Sequence, residues 1–69
     1  MVERLAARLT QQPDDVEGWV RLGRSYMVLS QPQKARDAYA HAVKLRPDDD
    51  QLKEALAAAN SAATAAGGR

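Results

Sequence analysis

The chain has 69 residues, 45% of them apolar and 28% charged, a globular balance that leaves room for one small domain. Its net charge of +1, spread over scattered Lys and Arg residues, offers no electrostatic footprint for nucleic acid, and the lack of cysteine excludes disulfides and thiol catalysis. There is no apolar run of about 18 residues that would cross a membrane, and Glu3 and Arg4 stand where a signal peptide would need its apolar segment.

Alanine contributes 14 residues and phenylalanine none. Trp19, the two tyrosines and a few leucines must therefore supply most of the burial. About ten large apolar side chains at roughly 1.5–3 kcal/mol each only just offset the entropy of ordering the chain, so modest stability is expected.

Residues 1–12 place Val2, Leu5, Ala6 and Leu9 at i, i+3, i+4 and i+7, one stripe of an amphipathic helix, with Arg4, Arg8 and Gln11 on the other side. Pro13 ends it, since proline lacks an N–H and its ring clashes with the preceding turn. Asp14 then fits an N-cap, and Glu17 three residues on completes a capping box. The second helix, residues 16–29, carries Trp19, Leu22, Gly23 and Tyr26 on one face. Glycine inside a helix costs about 1 kcal/mol relative to alanine. That cost is explained if the next helix crosses close by, with Ala35 as the small counterpart.

Ser30 and Gln33 form a second capping-box pattern, with Pro32 in the first turn where its missing N–H does no harm. The third helix, residues 32–46, turns Ala35, Ala38, Tyr39, Ala42, Val43 and Leu45 inward. Lys44 and Arg46 favour the negative pole at its end. Pro47-Asp48-Asp49 repeats Pro13-Asp14-Asp15 at an offset of 34 residues, and Asp48 with Gln51 repeats the Asp14–Glu17 cap. Leu56 and Ala57 answer Leu22 and Gly23, but Lys53 and Asn60 take the places of Trp19 and Tyr26. A fourth helix over residues 50–63 that keeps its inner contacts and turns polar outside has the character of a terminal cap. It should fray through Ala65 and Ala66.

Trp19, Leu22, Gly23, Tyr26, Ala35, Tyr39 and Pro47 follow the tetratricopeptide repeat (TPR) pattern, with Tyr39 in the Phe place. With Trp19 at repeat position 4, the unit spans residues 16–49. The expected architecture is all-α: an antiparallel helix-turn-helix TPR solenoid fragment of four helices, made of half a repeat, one full repeat and a capping helix. It occupies residues 1–66 as a single domain, with residues 67–69 a disordered tail. The array starts out of phase, which points to a piece of a longer protein.

The run Glu3-Arg4-Leu5-Ala6-Ala7-Arg8-Leu9, then Pro13-Asp14-Asp15-Val16-Glu17-Gly18-Trp19, then Leu22-Gly23-Arg24-Ser25-Tyr26, goes beyond general TPR grammar. It resembles the TPR region of the bacterial cytochrome c-type biogenesis proteins over roughly residues 1–57. The resemblance implies a periplasmic module of a membrane-tethered protein, one that holds the carboxy-terminal helix of apocytochrome c for haem attachment. The haem itself is handled by other proteins of that machinery, so no cofactor is implied.

TPR units of this kind take a peptide on the concave side, lined by the first helix of each repeat. By repeat position, the peptide-binding residues here are Glu17, Val20, Arg24, Met27 and Val28, with Glu54, Ala58 and Ser61 added by the capping helix. Val20, Arg24 and Met27 share a face offset from the core face, and a flexible Met beside a bare Val suits an amphipathic partner helix. Arg24 fits a carboxylate of that partner as a bidentate donor. The usual TPR carboxylate clamp is not reproduced, because Val20 stands in the place of its Lys and Arg24 in the place of an Asn.

Asp48, Asp49 and Asp50 are explained by helix capping, since no further carboxylates follow at calcium-loop spacing. His41 is the single histidine and, with no second histidine and no cysteine, cannot complete a metal site, so it is expected on the surface. Trp19 and the tyrosines are core residues. No nucleophile–base pair, phosphate loop or zinc spacing is present, and the chain is not expected to be an enzyme. The competing function is structural, a TPR scaffold segment that stacks on other repeats or on itself. Leu5 and Leu9 would then be partly exposed on an unpartnered first helix, allowing homo-oligomers.

Overall fold

Helix-forming periodicity dominates the computed structural model, which describes residues 2–12 and 14–67. The described residues form α1 (Val2–Gln11), α2 (Val16–Val28), α3 (Pro32–Leu45) and α4 (Asp50–Gly67), with no strand among them. Consecutive helices joined by short turns pack as neighbours, α1 on α2, α2 on α3 and α3 on α4. This is the all-α stack of helix-turn-helix pairs that the repeat pattern predicts. Pro13, expected to end the first helix, lies outside the described residues, as do Met1, Gly68 and Arg69 of the expected termini.

The molecule is a slab of 36 × 28 × 14 Å. So thin a body leaves little interior, and what is buried is mostly alanine. Leu9, fully buried, meets Leu22 and Ala38, with Leu5, Ala6, Trp19 and Tyr26 packed around them. Leu9 is therefore not exposed on an unpartnered helix, which removes one ground for self-association, while Leu5 is half-buried. A second cluster joins Ala35 and Tyr39 of α3 to Ala59 of α4, flanked by Val20, Tyr26, Met27, Ala55 and Leu56. Tyr26 belongs to both clusters and ties them together.

Two glycines mark where helices come closest. A Cβ at Gly18 would lie 2.6 Å from Leu9 Cδ2, so α1 rests on bare backbone there. A Cβ at Gly23 would lie 2.8 Å from the Tyr39 ring. The group that requires glycine at position 23 is thus the Tyr39 ring, one turn along α3 from the expected Ala35.

α2 and α4 start at residues 16 and 50 as expected, but their capping residues are shifted by one from the sequence expectation, and by the same amount at both helices. Asp15, not Asp14, caps α2: its Oδ1 accepts from Gly18 N–H at 3.1 Å, and its carbonyl accepts from Trp19 N–H at 3.1 Å. Asp49, not Asp48, caps α4, its Oδ1 accepting from the N–H groups of Gln51 at 3.0 Å and Leu52 at 3.2 Å. With the caps at 15 and 49, the residues three positions on are Gly18 and Leu52. Neither can reach back to the cap, so the capping boxes with Glu17 and Gln51 do not form.

Ser30 is no cap either. It sits in the left-handed region at φ 60° and closes α2 instead of opening α3. Gln31 N–H donates to Tyr26 C=O at 2.8 Å and Ser30 N–H to Met27 C=O at 3.0 Å, the paired bonds of a Schellman motif in a position that glycine usually fills. Gln31 precedes α3 without a side-chain cap, and Pro32 stands in the first turn as expected.

Two inward assignments on the later helices also change. Leu45, expected inside, is 40% exposed at the end of α3. On α4 the buried residues are Leu52, Ala59 and Ala63, while Leu56 is half-buried and Ala57 exposed. Leu56 keeps a partial contact with the Ala35–Tyr39–Ala59 cluster, but no described helix follows α4 to cover Ala57. The face at i, i+7 and i+11 turns onto α3 instead. Lys53 and Asn60 are exposed, and α4 continues beyond residue 63 to Gly67.

Candidate peptide-binding cleft

The amino-terminal half of α2 faces the connection between α3 and α4 across an open cleft of about 310 Å³. Val16 and Val20 from α2 and Leu52 from α4 give it an apolar floor. Glu17, Arg21 and Arg24 of α2 and Arg46 and Asp49 of the connection supply its charge. Positioning follows from the caps: Asp15 starts α2 and Asp49 starts α4, so each helix enters the cleft with its first turn fixed.

The charges are unevenly committed. Asp49 has an oxygen engaged by two backbone N–H groups at the start of α4. The ion pair found among the described residues joins Arg36 and Asp37, 3.8 Å apart and elsewhere on α3. Among the described residues, the guanidinium groups of Arg21, Arg24 and Arg46 thus have no carboxylate within pairing distance. Arg24 is also felt inside the fold: burial pushes the Tyr39 hydroxyl above its ordinary value of 10.0, and the Arg24 charge partly offsets that rise.

Of the eight residues assigned to peptide binding from repeat positions, Glu17, Val20 and Arg24 come together in this cleft. Val20 is half-buried and packs on the Ala35–Tyr39–Ala59 cluster, so it serves the core as well as the cleft floor. Met27 is half-buried against the same cluster and does not line the cleft. Val28 is 83% exposed beyond it, and Glu54, Ala58 and Ser61 are exposed on α4, away from the cleft lining.

Val16, Arg21, Arg46, Asp49 and Leu52 line the cleft but were not singled out from the sequence as site residues. Repeat-position arithmetic looks only at one face of the first helix in each repeat. Arg21 is one residue off that face, and Arg46 and Asp49 lie in a connection. The 34-residue offset held the signal for Asp49 and Leu52, which answer Asp15 and Gly18.

His41 is exposed, as expected, but it is not idle: its ring stacks on Trp19 with centroids 4.1 Å apart and planes inclined by 12°. Trp19 is accordingly only half-buried. Both residues border a separate cleft of about 240 Å³ with Ala6, Thr10 and Lys34. Lys34 Nζ stands 5.8 Å from the Tyr26 ring centroid, a cation–π contact on the same side.

The sequence is 44% identical over 69 residues, 99% of the chain, to the cytochrome c-type biogenesis protein CycH of Rhizobium meliloti (strain 1021). It is 47% identical over 55 residues, 78% of the chain, to the protein of the same name from Bradyrhizobium diazoefficiens. It is 44% identical over 43 residues, 62% of the chain, to the cytochrome c-type biogenesis protein CcmH of Escherichia coli (strain K12). The aligned stretches make up 18%, 15% and 12% of those relatives, so the chain spans less than a fifth of their length. No solved structure matches it. A family model described as the cytochrome c-type biogenesis protein H TPR domain matches residues 4–66, from α1 to near the end of α4, and the chain belongs to that family.

Proposed function

We propose that the chain is the peptide-binding module of a cytochrome c maturation factor, and that it holds an amphipathic helix of apocytochrome c while haem is attached. The observation that carries this reading is the cleft of Val20, Leu52 and Arg24. It puts an apolar floor beside uncommitted guanidinium groups on the helix where TPR repeats bind peptides. The names of the relatives, all cytochrome c-type biogenesis proteins, support the pathway. On this reading the module works in the periplasm as part of a membrane-tethered protein and catalyses nothing itself. Among the described residues no helix is long and apolar enough to cross a membrane, so the tether would be a segment other than these helices.

Calorimetric titration with a synthetic carboxy-terminal helix peptide of an apocytochrome c tests the reading. The expected result is saturable binding that weakens at least about tenfold in Arg24→Glu, since reversing a charge at a pairing site costs several times the few tenths of a kcal/mol of an exposed pair. Unchanged affinity in that variant would contradict it.

A further inference from the structure

We propose that the cleft reads the free terminal carboxylate of its partner helix, through Arg24 together with Arg21 and Arg46. This rests on the peptide-binding reading and adds the chemical group that is recognised. Three guanidinium groups line one small cleft, and the one ion pair among the described residues lies outside it. The nearby Asp49 is committed to capping α4. Against Glu17 and Asp49 in the same lining, the three guanidinium groups leave the cleft one positive charge in excess, and none of them is ion-paired among the described residues, so an added anion is favoured there. A carboxylate is the anion whose planar, two-oxygen shape matches the guanidinium fork.

Size and polarity select the end of a helix over its flank. A helix is roughly 10 Å across with side chains, so the cleft of about 310 Å³ holds less than one turn of it. The last turn of a helix also carries the negative end of its dipole and unsatisfied carbonyls. A helix that ends here therefore presents its pole and its carboxylate to the same three arginines. The apolar residue before the carboxylate would rest on Val16, Val20 and Leu52, where water is partly excluded and charge pairing strengthens.

The experiment uses the helix peptide of the preceding titration, made once with a free carboxy terminus and once as the amide. The free acid should bind about tenfold more tightly than the amide at low salt, as expected for loss of a charge-assisted hydrogen bond. The difference should shrink as salt screens the exposed charges. It should fall towards one in Arg24→Gln and shrink in Arg21→Gln and Arg46→Gln, all exposed positions. It should persist in Arg36→Gln, an exposed arginine outside the cleft. Equal binding of acid and amide overturns the carboxylate inference and leaves the peptide reading standing. Loss of the difference in Arg36→Gln as well shows general charge attraction and also overturns it. No binding of either peptide removes both.

Discussion

Tyr39 links the core to the candidate site. Its ring lies close against Gly23, its body fills the second cluster, and its hydroxyl feels the charge of Arg24. Adding one methyl at Gly23 would put an atom 2.8 Å from a rigid ring. Overpacking of this kind costs about 1–3 kcal/mol, more than alanine gains from its helix propensity. Gly23→Ala should therefore lower stability in urea denaturation. Ser30→Gly should do the opposite. A non-glycine residue in the left-handed region pays roughly 1–2 kcal/mol, and after the entropy of a freer unfolded chain a net gain of about 0.5–1 kcal/mol is expected. Tyr39 also sets an alkaline limit. Its folded-state value is raised above 10.0, so the neutral hydroxyl is favoured by folding. The contribution is whole below the unfolded value and is lost as pH climbs through the folded one. Denaturation midpoints measured from pH 9 upward should fall less steeply for Tyr39→Phe than for the unaltered chain.

Helix boundaries show what local sequence can and cannot specify. The interior periodicity of the helices was legible because Leu5, Leu9, Trp19, Leu22, Tyr26, Ala35, Ala38 and Ala42 recur at helical spacing, and each is buried or partly buried. The caps were legible only to within one residue. Each site offers two adjacent aspartates, both able to accept from the first turn. Which one does so depends on where helical dihedrals begin, a matter of how the helix docks on its neighbours. Because Asp15 and Asp49 do the capping, Asp15→Ala and Asp49→Ala should each cost about 1 kcal/mol, whereas Asp14→Ala and Asp48→Ala should be close to neutral. Thermal melts of the four variants decide it. The end of α4 was the least legible boundary. Ala65 and Ala66 read as a fraying tail, yet alanine is the best helix former, and the helix continues past them to Gly67.

For the whole molecule, fold and site differ in how far the sequence discloses them. The fold follows from residues that match a repeat and pack on one another, so a single periodic pattern reveals it. The cleft is assembled from the first half of α2, a connection and the start of α4, three pieces that become neighbours only after the helices stack. Glu17, Val20 and Arg24 could be named from one helix, while Arg46, Asp49 and Leu52 needed the fold. Nor are core and cleft wholly separate on α2: Val20 belongs to both, and Met27, expected beside it in the groove, is taken up by the Tyr39 cluster. A slab only 14 Å thick leaves no room for two independent layers of side chains. A partner at the cleft should therefore be sensed at once in the second cluster.

Backbone amide shifts, followed by NMR while the apocytochrome c helix peptide is added, test this most directly. The largest changes are expected at Glu17, Val20, Arg21 and Arg24, at Arg46 and Asp48 to Leu52, and at the Tyr39 amide behind them, with Glu54, Ala58 and Ser61 moving less. Changes confined to the chain termini, or none at millimolar peptide, would contradict the proposal that this cleft is where the chain holds its partner.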